Sequence, residues 1–187
     1  MIDTILNYIQ TNGVITLGVL LFLSVYLIIT IWIFVYKYLE VSSSINQEIS
    51  SLESLMINGS RINPLSSIGQ YIGQKPISKE LLDTCEISLI REASSGLSWQ
   101  SIISSTAPFI GLFGTVVGIL ESFAKFANTS KVSFATIAPV ISEALVATAA
   151  GIFVAIFAYT FHQILTRKIY LLNTYIKSQI NLILSGK

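Results

Sequence analysis

The chain has 187 residues, of which 52% are hydrophobic and 11% charged, with a formal net charge of +1. That balance belongs to a membrane protein rather than a water-soluble domain, and a near-neutral chain offers no field for nucleic acid. One cysteine, Cys85, and one histidine, His162, exclude an intramolecular disulfide framework, a CxxC metal site and a Ser-His-Asp triad in the membrane.

Residues 1–13 carry no Lys or Arg and are expected on the periplasmic side. Residues 14–36 contain no charge and are long enough for a first span, which takes about 20 residues. No basic residue precedes this run, no small-residue cleavage site follows it, and it exceeds the usual signal-peptide core of about 7–15 residues. It reads as a retained anchor, with Trp32, Tyr36 and Tyr38 as an aromatic belt at the inner face.

Residues 37–101 are expected to form a helical cytoplasmic loop. Ile45, Ile49, Leu52 and Met56 recur at heptad-like spacing and extend the first helix inward. Turn chemistry follows from Asn58 to Pro76. Ser78 is placed to cap a helix whose apolar face is Leu82, Cys85, Leu89, Ala93 and Leu97, which makes Cys85 a small buried apolar residue.

The second span is expected over residues 102–124. Gly111, Gly114 and Gly118 share one face, and Gly114-x-x-x-Gly118 is a small-residue packing motif. Pro108 removes an amide donor and crowds the carbonyl of Ser104, so a kink is expected there. Ser104, Ser105 and Thr106 are placed either to satisfy the loosened backbone or to line a wet inner vestibule. Glu121 is expected in the headgroup region.

After a short periplasmic connection, residues 125–136, comes the third span, residues 137–160, with Pro139 in its first turns. Ala144, Ala147, Thr148, Gly151, Ala155 and Ala158 give it a matching small-residue face. Glu143 is the ionisable group within its apolar run. A carboxylate at that depth costs roughly 2.5–3.5 kcal/mol on insertion scales, and such residues normally face a bundle interior or a water-filled path. Residues 161–187 continue as a cytoplasmic amphipathic helix through Leu165, Ile169, Leu172, Ile176 and Ile183, with His162 an anchor at the inner interface.

Orientation follows from Lys and Arg. Nine of the eleven lie in the 37–101 loop and the tail, and two, Lys125 and Lys131, lie in the connection. The expected fold is an all-α membrane protein. It has three transmembrane helices extended by long cytoplasmic helices, with the N-terminus periplasmic and the C-terminus cytoplasmic. Thr115 and Thr148 each stand about 12 residues from the inner or outer end of their span, roughly 18 Å along it, so both hydroxyls fall near the midplane, with Glu143 about 7 Å further out. A lone membrane threonine ordinarily bonds its own helix. Two at one depth beside a carboxylate suggest a shared polar path.

The segments Thr106-Ala-Pro-Phe-Ile-Gly-Leu-Phe-Gly-Thr-Val-Val-Gly-Ile and Ile137-Ala-Pro-Val-Ile-Ser-Glu-Ala-Leu-Val-Ala-Thr-Ala-Ala-Gly resemble the signature region of ExbB and TolQ. These are inner-membrane motor subunits related to the flagellar stator protein MotA. The resemblance is close over about residues 99–165; MotA itself, longer and with four membrane helices, fits less well. It implies a bacterial inner-membrane homopentamer whose second and third helices line a pore around the single spans of two ExbD or TolR subunits. Protons would pass by way of an aspartate on that partner, driving TonB or TolA. On this pattern Thr115, Glu143 and Thr148 fall on polar pore positions, and Pro108 and Gly151 on structural ones, while Phe157 stands where relatives commonly have proline. The residues fit both the ExbB and the TolQ branch.

The reading that follows is a proton-channel motor subunit, with protons as the transported ion and no cofactor. A non-conducting scaffold in which Glu143 only pairs with a partner helix is the alternative. A small secondary transporter lacks an inverted repeat here, and no nucleophile–base pair suggests an enzyme.

Overall fold

Neither proline nor glycine interrupts the first apolar run after Gly18, and it winds into a single long helix. The computed structural model describes residues 14–58, 64, 66–73, 77–126 and 134–185. The helices are α1 (Val14–Asn58), α2 (Ser67–Ile72), α3 (Lys79–Ala93), α4 (Leu97–Phe126) and α5 (Phe134–Ser185). Three stretches within them are long and apolar enough to cross a membrane: Ile15–Ile57, Leu97–Ala124 and Ile137–Ser185. The chain is thus an all-helical protein with three candidate membrane helices. The expected N-terminus, residues 1–13, and Arg61, Lys75, Lys131 and Lys187 lie outside the described residues.

Both prolines lie inside helices. α4 continues through Pro108 and α5 through Pro139. Just before Pro108, the hydroxyls of Ser104, Ser105 and Thr106 donate to carbonyls of their own helix: Ser101 O at 2.8 Å, Ile102 O at 2.9 Å and Ile102 O at 2.8 Å. None of the three reaches the Ser104 carbonyl, the acceptor that Pro108 leaves without its amide donor. α5 is one 52-residue helix, so the expected span 137–160 and the tail as far as Ser185 form one helix, and the expected span 102–124 lies within the longer α4.

The chain divides into two units, Met1–Trp32 with Trp99–Phe161, and Ile33–Ser98 with His162–Lys187. In the first, Val19, Leu23, Ile103, Ala107, Ala147, Val154 and Ala158 are buried together.

The core of the second is built from Val41, Leu55, Ile68, Ile72, Leu82, Cys85, Ala93 and the α5 stripe Ile169, Leu172, Ile176, Ile180 and Ile183. Ser78 caps α3, its Oγ accepting from the Leu81 amide at 3.2 Å. Gly96, at φ 90°, turns the chain from α3 into α4. Lys37 is buried, pairs with Glu40 at 2.9 Å and donates to the Glu92 carbonyl at the end of α3, 3.3 Å away. Lys168 lies 4.0 Å from the centre of the Tyr38 ring and donates to Ser42 Oγ.

The heptad register differs from the one expected. Met56 is two-thirds exposed and Ile49 only partly covered. The inward face of α1 here runs Val41, Ile45, Glu48 and Leu55, with Ser51 beside it. A fully buried glutamate occupies a core position, which counting apolar residues alone cannot reveal.

Cys85 is buried. Loss of water around it, and secondarily the nearby Glu48 carboxylate, push its thiol from 9.0 up to about 11. The folded chain therefore holds this proton more tightly than the unfolded one. The associated stability is complete below about pH 9 and is lost as pH rises through about 11. The thermal midpoint should fall more steeply over that window in the natural chain than in Cys85→Ala; parallel pH profiles would contradict this.

Candidate functional site

Glycines set the spacing of the membrane helices. A Cβ on Gly151 would lie 2.5 Å from the Ala107 carbonyl oxygen and 3.0 Å from Gly111 Cα. One on Gly111 would lie 2.6 Å from the Ala147 carbonyl and 3.1 Å from both Gly151 Cα and Thr148 Cα. Backbone meets backbone here, so no side chain can move aside. In lipid, where apolar burial gives helices no reason to associate, this close packing is what holds α4 to α5.

Gly114 and Gly118 also admit α1. A Cβ on Gly114 would meet Val19 Cγ1 at 2.9 Å and Ala147 Cβ at 3.1 Å, and one on Gly118 would meet Thr16 Oγ1 at 2.8 Å. Small residues in the sequence mark where a neighbour approaches but not which neighbour, so this contact of α1 was not legible.

The seam carries one polar cluster. The Thr115 and Thr148 hydroxyls bond each other. Thr115 Oγ1 also lies 3.0 Å from the Ala144 carbonyl and 3.3 Å from that of Gly111, which in turn is 3.3 Å from Thr148 Oγ1. The close approach at Gly111 and Gly151 brings the two hydroxyls together. They tie α4 to α5 through hydrogen bonds in surroundings where an unpaired polar group is costly.

Glu143 does not join this pair. It stands five residues before Thr148, about 140° round the helix at 3.6 residues per turn. It is half-buried, and among the described residues it takes no hydrogen bond and no ion pair. An uncompensated carboxylate on a membrane helix is what a partner from outside the protomer would satisfy.

The remaining candidates fall around this seam. Ala147 is fully buried against Gly114. Phe157 stacks between Phe153, with ring centres 4.8 Å apart, and Phe161, at 5.9 Å. α5 is helical at that position, as it also is at Pro139. His162 Nδ1 lies 3.2 Å from the Leu97 carbonyl. Among the described residues no group of His, Cys, Asp and Glu is placed to hold a metal ion.

Three long apolar helices and a glycine-packed seam define a multi-pass membrane protein. The model of the MotA/TolQ/ExbB proton channel family matches residues 65–178, and the chain belongs to that family. It is 42% identical, over an alignment of 190 positions that covers the whole of both chains, to the Helicobacter pylori protein named ExbB-like 1. It is 48% identical over 79 residues to the biopolymer transport protein ExbB of Pseudomonas putida, a stretch covering 42% of this chain and 24% of that one. It is 48% identical over 62 residues to the Tol-Pal system protein TolQ of Pseudomonas aeruginosa, covering 33% and 27%.

Proposed function

We propose that this chain is the channel-forming subunit of an ExbB–ExbD or TolQ–TolR type motor in the bacterial inner membrane. Its copies, five on the family's pattern, surround the single spans of ExbD- or TolR-like partners, with the N-terminus periplasmic and the long loop and tail cytoplasmic. Protons are the transported ion, no cofactor is needed, and the chain is not an enzyme. The assembly uses the proton motive force to energise TonB or TolA.

The observation that carries this reading is Glu143. Its own protomer supplies no partner among the described residues, and on this reading the group completing it belongs to another chain. An aspartate on the partner span supplies the titratable step, and Glu143 then lines the outer part of the path feeding it. Thr115 and Thr148 also fall on polar pore positions on the family's pattern, and their hydroxyls hold the α4–α5 seam closed. A proton crossing 100 mV releases about 2.3 kcal/mol, comparable with rearranging a few small-residue helix contacts.

The test is proton flux into vesicles containing the chain with its single-span partner, under an imposed potential. Glu143→Gln is expected to lower flux about tenfold or more, equivalent to a barrier raised by about 1.4 kcal/mol, while the complex still assembles. Undiminished flux would reduce Glu143 to a docking group, whereas absence of flux through the natural complex would favour the non-conducting scaffold.

A further inference from the structure

Thr30 on α1 and Gln100 in the first turn of α4 are both fully buried, and each holds an oxygen without a hydrogen-bond partner, Thr30 Oγ1 and Gln100 Oε1. Buried polar atoms in native proteins nearly always have partners. Elsewhere in the same unit, hydroxyls resolve this within their own helix. Ser24 donates to the Leu20 carbonyl at 2.8 Å, Ser122 to Gly118 at 2.8 Å, Ser142 to Ala138 at 2.9 Å and Thr160 to Ile156 at 2.8 Å. Thr30 does not. The Gln100 amide is oriented by its Nε2 donating to the Thr30 carbonyl at 3.5 Å. Turning it over would set oxygen against oxygen. Its orphan atom is therefore an acceptor, on the same side chain that reaches Thr30, whose hydroxyl is free to donate or accept.

We infer that Thr30 and Gln100 form a built hydration site that holds one water molecule between α1 and α4. The water donates one hydrogen to Gln100 Oε1 and accepts the Thr30 Oγ1 hydrogen, so one molecule satisfies both orphan groups. The oxygens offered are neutral, from a hydroxyl and an amide. That suits water better than a cation, whose removal from bulk solvent calls for charged or more numerous oxygen ligands. The inference goes beyond the proposed function, which uses neither residue. It also gives α1 two different attachments to α4. Gly114 against Val19 and Gly118 against Thr16 are steric, whereas the Thr30–Gln100 contact is completed by an exchangeable molecule.

The test is a map of the whole assembled protein at a resolution that shows ordered water. A single peak within hydrogen-bond distance of both oxygens, lost in Gln100→Leu, is expected. An empty site, or a peak with the short distances and additional ligands of a cation, overturns the inference. Thermal unfolding of the variants provides a second measurement. Thr30→Val and Gln100→Leu should each lower the midpoint by a few degrees, because each strands the remaining partner, while the double variant should recover most of the loss. Strictly additive losses overturn the inference as well.

Discussion

Gly151→Ala is expected to destabilise the protein by about 1–3 kcal/mol or more, the usual cost of overpacking a well-filled interior. A Cβ there meets the Ala107 carbonyl oxygen at 2.5 Å and Gly111 Cα at 3.0 Å, so relief requires α4 and α5 to separate. Separation would also part the Thr115 and Thr148 hydroxyls, which bond across the same seam. Intrinsic helix propensity works in the opposite direction, since alanine is favoured over glycine by about 1 kcal/mol. Gly18→Ala isolates that term, because a Cβ on Gly18 meets nothing within 4 Å. Thermal unfolding in detergent should place Gly18→Ala at or slightly above the natural chain and Gly151→Ala well below it. Equal midpoints for the two variants would contradict the close approach of the helices.

The second large effect is expected at Glu48. Its carboxylate is fully buried, with Oε1 accepting from the Ser67 amide at 2.8 Å and Oε2 from Gln179 Nε2 at 2.6 Å. The same Gln179 nitrogen reaches the Glu48 carbonyl at 3.0 Å, and Gln179 Oε1 accepts from Ser51 at 3.0 Å. Both carboxylate oxygens face donors. In Glu48→Gln, one end of the amide must turn an N–H toward another N–H, losing one hydrogen bond at a cost of roughly 1–3 kcal/mol. Glu48→Met removes both carboxylate acceptors, leaving the Ser67 amide without a partner and Gln179 Nε2 with only the backbone carbonyl of residue 48, and should cost more. Chemical denaturation should therefore rank the natural chain above Glu48→Gln and Glu48→Met lowest. A methionine variant as stable as the natural chain would show that the network contributes nothing beyond its apolar surroundings.

These two sites also show how far the sequence could be read. The three spans were legible because apolar runs of that length, with at most one charge each, have few alternatives to a membrane helix. Ser78 and the stripe Leu165, Ile169, Leu172 and Ile176 were legible because capping and helical periodicity are local. Glu48 was not, because its partner Gln179 lies 131 residues away; a polar residue in a core position is recognised only once that partner is placed. The register therefore fell on Ile49 and Met56 instead.

In the membrane helices, counting residues gives depth, and depth alone put Thr115 level with Thr148. It does not give the direction a side chain takes around its helix. That direction separates Glu143 from the hydroxyl pair. The glycines announced close packing, but the meeting of Gly114 and Gly118 with Val19 and Thr16 of α1 needed the fold.

The central claim is that Glu143 is half of a site whose other half lies on another chain. Placing a photoreactive amino acid at position 143 of the assembled complex tests it most directly. Illumination should join this chain to a second polypeptide, either the single-span partner or a neighbouring copy, whereas the same probe at the exposed, lipid-suited Leu145 should give little such product. Adducts confined to the same chain would contradict the claim, because Glu143 would then be completed within its own protomer.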